Sequence, residues 1–561
     1  VGRASTGAIE RSRRAAARSV LVGLVAAIAL GSLALGVATA VSAVRSAQAA
    51  RDEAEARSQE ADARAQAARS LALALALADR GGKAEDIRPL VESALAAGRD
   101  AETLEAGADA LARAGDAPAA ARLLEESAKT GSLAALVALH ELDWRARPSV
   151  AKTPHLERLE KAAGGKDDAL ALYARGVAAF SRSDLDRASA LLERAVAASP
   201  GSAPARAERG LLRARRGDPR GARDDLAVAL ALQPSRPRTL LARAETSLTL
   251  GELALADDLA SRALAIAPDD PGCLRARALA RSRQDGQEAL ALADRAVALE
   301  DSAPSRAVRA RLRWRALDSK GALDDAKKAL ETDAENVDAL EVEARVQTEN
   351  DARAALETID RALERDPRRA TAIAARAGIR GMLEGARARW DESRRALEAD
   401  PGCPEALVER GAALVEGGDL VAGLHDLDAA IAADPFNLFA RLHRAYGLDR
   451  RGDFRSALLD IDPVLKRAPE NPSGLFLRAW ANYRLGTDLK GALADLDIVL
   501  ASQQPPNALA VSLRAQVRHA TGDDEGALAD LALLERLVGA QSGTYKEAQA
   551  ALERKPVRPP R

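Results

Sequence analysis

Five histidines (His140, His155, His425, His443 and His519) lie far apart in a chain of 561 residues, with no cysteine or carboxylate at metal-ligand spacing. An HExxH helix would bind zinc and activate water, and paired CxxC motifs would bind zinc through thiolates. A GxSxG turn would present a nucleophilic serine, and GxxxxGK would cradle phosphates. None of the four occurs. Gly164-Gly165-Lys166 lacks the earlier glycine of a phosphate loop and reads as an ordinary loop. Cys273 and Cys403 each follow a Pro-Gly pair, four repeats apart, so no disulfide joins them and no redox compartment is read from them. Carboxylates recur every few residues, the pattern of solvated helix faces. The chain is therefore expected to be no enzyme, with no catalytic residue, cofactor or metal.

What could recognise something is aromatic. Aromatics are only 2% of the chain, yet seven of the thirteen fall between Phe436 and Tyr483. A second candidate is basic: Arg238, Arg275, Arg281, Arg311 and Arg315 recur along the middle of the chain. A net charge of −1 gives no long-range attraction to nucleic acid, and no nucleic-acid partner is expected.

The elements that must position these residues repeat. A block of about 34 residues returns about ten times from Asp167 to Pro506. Its end reads Ala195-Val196 to Pro200, Ala229-Leu230 to Pro234, and Ala263-Leu264 to Pro268. After two blocks without the proline, it resumes at Ala362-Leu363 to Pro367, Ala396-Leu397 to Pro401 and Ala430-Ile431 to Pro435. Each block holds two helical patterns around a turn such as Gly217-Asp218, Gly418-Asp419 or Gly452-Asp453. Glycine there supplies positive φ to close the first helix, aspartate caps the second, and proline stops it. Low aromatic content implies a core of Ala, Leu and Val, which suits close-packed helices better than a sheet.

A small residue at position 8, Gly-Asp near 15 and 16, Ala at 20 and 27 and Pro at 32 resemble the tetratricopeptide repeat from about Asp167 to Ala540. Ala174-Arg175-Gly176, Glu208-Arg209-Gly210 and Glu409-Arg410-Gly411 recur at one slot. Arg389 and Gly423 stand where the pattern wants Ala at position 20, which puts tight packing there in doubt. The resemblance implies an all-α solenoid, a right-handed superhelix of helix pairs, binding a protein or peptide partner in its concave groove. It places groove-facing residues at positions 2, 5, 9 and 12. Phe439 and Tyr446 take 2 and 9 of one repeat, and Phe476, Trp480 and Tyr483 take 5, 9 and 12 of the next. These five are the candidate partner-binding residues. No Asn falls at positions 6 or 9, so the family's clamp for a C-terminal carboxylate is not expected.

Ahead of the repeats, Ser19 to Val44 is 26 residues without a charge, enough to cross a bilayer as a helix. Ala38-Thr39-Ala40 and Ala47-Gln48-Ala49 offer the alternative of a cleaved signal, although the apolar run is long for one. Arg11, Arg13, Arg14 and Arg18 favour a cytoplasmic N-terminus, placing the repeats outside the bacterial cytoplasmic membrane. The expected organisation is a basic flank (1–18), a transmembrane helix (19–44), a helical stalk (45–79), degenerate helical repeats (80–166), the array (167–540) and a helix end with a Pro/Arg-rich tail (541–561).

The order of arginine flank, membrane helix and repeats also resembles the rear part of bacterial membrane Ser/Thr protein kinases, without their kinase motifs. The only methionine is Met382, so Val1 reflects an alternative start or a longer parent chain. The primary expectation is a membrane-anchored scaffold. The alternatives are the extracytoplasmic sensor part of a kinase system and an exported soluble binding protein.

Overall fold

A computed structural model of the chain describes residues 6–80, 82–146, 154–348, 350–502 and 505–553, and among these it is helical with no strand. The start of the predicted basic flank (1–5) and the end of the predicted tail (554–561) lie outside the described residues. Two compact units are formed, one by residues 1–142 with 154–165 and the other by residues 143–153 with 166–561.

In the first unit, one helix, Thr6–Asp79, runs through the predicted flank, membrane segment and stalk. Val20, Leu21, Val22, Leu30 and Leu35 stand exposed on it. Among the described residues no helix is long and apolar enough to cross a membrane. The predicted span 19–44 includes positions 29, 32 and 34, whose side chains lie outside the described residues. The end of the predicted stalk is not free: Ala67, Ala74 and Ala78 are buried, and this helix packs against Ala84–Ala97 and Ala101–Arg113. A Cβ on Gly107 would sit 2.8 Å from Val91 Cγ1, so these helices nearly touch backbone to side chain. Within the predicted degenerate repeats (80–166), Asp116 accepts from the Ala119 amide to cap Ala117–Lys129.

The second unit carries the array, from the pair Ala169–Ser181 and Leu185–Ala198 to the pair Ala508–Thr521 and Asp524–Val538. The turn chemistry is as the sequence predicts. Gly217 has φ +78°, and the Asp218 carboxylate accepts from the Gly221 amide at 2.8 Å. Asp419, Asp453 and Asp523 cap their helices in the same way. Ser183 and Leu317 hold the same left-handed position without being glycine (φ 63°), at a cost that the rest of the turn must offset.

The core between paired helices is built from small side chains. Ala222, Ala322 and Ala457 are fully or almost fully buried, and a Cβ on Gly210 would lie 2.8 Å from Leu226 Cγ. Close approach over many small contacts takes the place of large rings. The doubt about position 20 resolves differently at its two sites. At Gly423 packing is tighter, since a Cβ there would meet Val415 Cγ2 at 2.7 Å and the Gly411 carbonyl oxygen at 2.8 Å.

A second device, missed in the sequence, locks the two helices of a repeat together. At the slot that holds Arg209 and Arg410, an arginine donates twice to an aspartate sixteen residues later in five repeats. Arg209 with Asp225, Arg309 with Asp325, Arg410 with Asp426, Arg444 with Asp460 and Arg514 with Asp530 all bond at 2.6–3.0 Å. Each aspartate is buried, so the fork of two charge-assisted bonds is what makes its burial tolerable.

Candidate partner-binding groove

The first helices of successive repeats in the second unit turn one face inward. Ala303–Arg315, Val337–Gln347, Ala370–Glu384, Pro404–Gly417, Leu438–Arg451 and Pro472–Leu485 surround a cavity of about 1080 Å³. Its apolar wall includes Trp314, Met382, Phe436, Phe439, Tyr446 and Phe476. The first and fifth helices of this run meet. Trp314 stacks on Phe439 with ring centroids 4.6 Å apart, and Arg345 lies 4.6 Å over the Trp314 ring. Beside the stack, Arg315 donates to Asp434, 119 residues away, and pairs with Glu405 at 3.6 Å. Asp434 is fully buried, so this ion pair ties two distant repeats together out of contact with water.

Three of the five predicted residues, Phe439, Tyr446 and Phe476, line the cavity. Tyr446 is 39% exposed. Trp480 and Tyr483 do not line it. They pack, partly buried, against the C-terminal apolar cluster that includes Leu475, Leu496, Val511 and Leu513. The following repeat brings those side chains over positions 9 and 12, turning them from groove positions into packing positions. Trp480 Nε1 and Asp449 Oδ1 face each other, buried, without a hydrogen bond of standard geometry among the described residues. Burial pushes the Asp449 carboxyl up to about 6, with Arg484 and the Trp480 indole drawing it part of the way back.

The basic candidates do not form an open cationic groove, because each has a partner. Arg238 is buried, bonds Glu208 at 2.8 Å and lies 3.7 Å over Trp144. Arg275 donates to Ser305, Arg281 pairs with Asp257 and Glu288, and Arg311 approaches Asp338. Arg315 is committed to Asp434 and Glu405. Arginines spaced along a solenoid meet the carboxylates of neighbouring repeats, so a basic stripe in sequence becomes a neutral network.

The polar centre of the cavity comes from a residue that broke the repeat pattern. Arg389 projects from Ala386–Ala399 at the slot where Ala is expected, yet it is 92% buried, being only 8% exposed. It donates to Glu416, and its Nε lies 3.5 Å from Glu409 Oε2. Two glycines of the preceding helix make the room. A Cβ on Gly381 would fall 2.2 Å from Arg389 Nε, and one on Gly378 would fall 3.0 Å from Glu409 Oε1. Glycine inside a helix costs about 1 kcal/mol relative to alanine, so two in one helix mark a constraint from their neighbours. Burial pushes the Glu409 carboxyl up, and Arg389 and Arg345 offset this in part. Burial and the Arg389 charge lower His443 to about 4, leaving it neutral at pH 7. Burial would raise Glu341 as well, but Arg345, Arg369 and Arg311 outweigh it and bring that carboxyl to about 2. Arg389, Glu409, Glu416 and Trp314 were not read as site residues. The available signals were the arginine at an alanine slot and the glycines at groove slots 9 and 12.

Family models described as "Tetratricopeptide repeat" match residues 175–245, 380–437 and 442–490. No curated protein sequence gives a significant match. Similar solved structures include that of the APC/C hetero-tetramer Cut9-Hcn1, 14% identical, covering 84% of this chain and 93% of that one with a TM-score of 0.46. A tetratricopeptide repeat protein from Parabacteroides merdae is 20% identical over 45% of this chain and 99% of its own, with a TM-score of 0.30. PilF of Pseudomonas aeruginosa is 21% identical over 41% of this chain and 98% of its own, with a TM-score of 0.31. Over those matched residues the chain carries tetratricopeptide repeats.

Proposed function

We propose that the chain is a non-enzymatic, membrane-anchored scaffold whose repeats hold a protein or peptide partner in the groove of the second unit. The observation that carries this is the cavity of about 1080 Å³, walled by Phe439, Tyr446 and Phe476 from two repeats and by Trp314 from a third. Aromatic side chains left partly open in a concave site are the usual anchors of protein recognition. The proposed anchor is residues 19–44, a run of 26 residues without a charge. Val20 is 70% exposed and Leu35 68%, and exposed apolar side chains in such a run mark a surface that lipid or another apolar surface can cover. The arginines before it favour a cytoplasmic N-terminus with the repeats outside the bacterial cytoplasmic membrane.

The test has two arms. Cells expressing the full chain or a variant lacking residues 19–44 are fractionated and the membranes washed with high salt. The full chain should stay with the membrane and the variant should not. In the second arm, a tagged full chain recovers its partner from native membranes; Tyr446→Ala should reduce that recovery without lowering the melting temperature, and adding Phe439→Ala, which also removes the Trp314 stack, should reduce it further. Equal fractionation of both chains would overturn the anchor, and recovery unchanged by both substitutions would overturn the groove.

A further inference from the structure

The charges around the groove do not balance locally. Arg389 serves two carboxylates, Glu409 and Glu416, and Arg315 serves two more, Glu405 and Asp434. The remaining cation at the wall, Arg345, is committed to Glu341 at 3.2 Å and to the Thr371 carbonyl oxygen at 2.7 Å. Near Glu405, Arg311 is engaged by Asp338. His443 adds no charge at neutral pH.

Glu409 is the carboxylate this arrangement leaves least satisfied. Among the described residues it accepts no hydrogen bond, and its one ion pair, at 3.5 Å, is to an arginine that Glu416 holds more closely. Its place is built all the same, because Gly378 clears the space its carboxylate occupies. The same cavity presents Phe439, Tyr446 and Phe476. A carboxylate beside aromatic faces is the environment that receives a guanidinium or ammonium group, through a charge-assisted bond and cation–π contact.

We propose that the groove selects a peptide segment in which a lysine or arginine adjoins a large apolar or aromatic residue, with the cation paired to Glu409 and the apolar residue seated among the rings. This rests on the groove reading above and adds the sign of its partner's charge. An acidic partner would place a carboxylate against Glu409 and Glu416, and like charges at such range are what interfaces exclude.

The experiment is selection of phage-displayed random dodecapeptides on the detergent-solubilised full chain, in wild-type and Glu409→Lys forms. Wild type should enrich Lys or Arg next to Trp, Phe, Leu or Tyr, and Glu409→Lys should enrich Asp or Glu instead. For one selected synthetic peptide, replacing its basic residue by norleucine should weaken binding to the wild type by about tenfold, the effect of one desolvated charge pair. Glu409→Gln should weaken the parent peptide to a similar degree, and the norleucine peptide should bind both proteins equally. The peptide-side change keeps the test sound even if a protein variant folds poorly. Peptides that lose binding on Tyr446→Ala yet carry no basic preference would overturn the charge assignment alone. No selected peptides, or peptides indifferent to Tyr446→Ala, would overturn the groove reading and this proposal with it.

Discussion

Trp314 and Phe439 stack at 4.6 Å with their planes 16° apart, although four repeats separate the helices that carry them. This contact, with the ion pair from Arg315 to Asp434 beside it, joins two distant repeats across the cavity that both help to line. If the stack shapes the groove, the two rings should be energetically coupled. A double-mutant cycle of Trp314→Ala and Phe439→Ala, followed by urea unfolding, should give a coupling of about 0.5–1.5 kcal/mol. Strictly additive losses would mean that the rings merely pass close.

The ladder of arginine–aspartate pairs makes a prediction about stability. Asp426 is buried and Arg410 supplies both of its hydrogen bonds. Arg410→Met leaves an uncompensated buried carboxylate and should cost about 3 kcal/mol, whereas Arg410→Met with Asp426→Leu should recover most of that loss. Chemical denaturation of the two variants separates the cases. A double variant as unstable as the single would show that the pair has another role.

The arrangement at Arg389 reverses the usual effect of replacing a helical glycine. Alanine normally gains about 1 kcal/mol over glycine in a helix interior. At Gly381 the added methyl would fall 2.2 Å from Arg389 Nε, so Gly381→Ala should destabilise the chain and displace the guanidinium from Glu416. In an Arg389→Ala background the same change should stabilise. Thermal melts of the four proteins test this, and a stabilising Gly381→Ala in the wild type would contradict it.

Much of this fold was legible because its determinants are local and periodic. Gly217-Asp218 and Asp419 announce their turns, and small residues such as Gly210 and Ala222 announce their contacts. The groove was legible only in part. Phe439, Tyr446 and Phe476 follow from repeat register, since each keeps a face on the cavity even where Trp314 or Trp480 stacks on it. Trp480 and Tyr483 share that register but meet side chains from the next repeat, which register does not report. Arg389 and Glu409 depend on room left by Gly378 and Gly381 in a neighbouring helix. Trp314 depends on the curvature of the whole array. A sixteen-residue Arg–Asp spacing was present in the sequence throughout and was read as solvated charge, because burial and not spacing separates the two cases.

Asp449 gives a dependence on pH. Its carboxyl titrates near 3.8 when exposed and is pushed up to about 6 by burial in the folded chain. Between those values the folded state keeps a proton that the unfolded state has released. This residue's contribution to stability therefore falls as pH rises from about 4 to about 6 and is level above that range. Asp449→Asn should remove that decline, so the variant should gain on the wild type as pH rises through the window. Unfolding midpoints of both proteins at several pH values provide the check, and parallel profiles would show that Asp449 titrates normally.

The central claim is that the cavity of the second unit receives the partner, and site-specific photocrosslinking tests it most directly. p-Benzoylphenylalanine is placed at Tyr446, on the cavity wall, or at Leu459, which is 72% exposed on the helix Phe454–Arg467 and does not line the cavity. Irradiation of cells carrying the full chain should yield a discrete crosslinked protein from position 446, lost when Phe439→Ala is added, and none from position 459. A crosslink that forms from 459 and not from 446 would contradict the account.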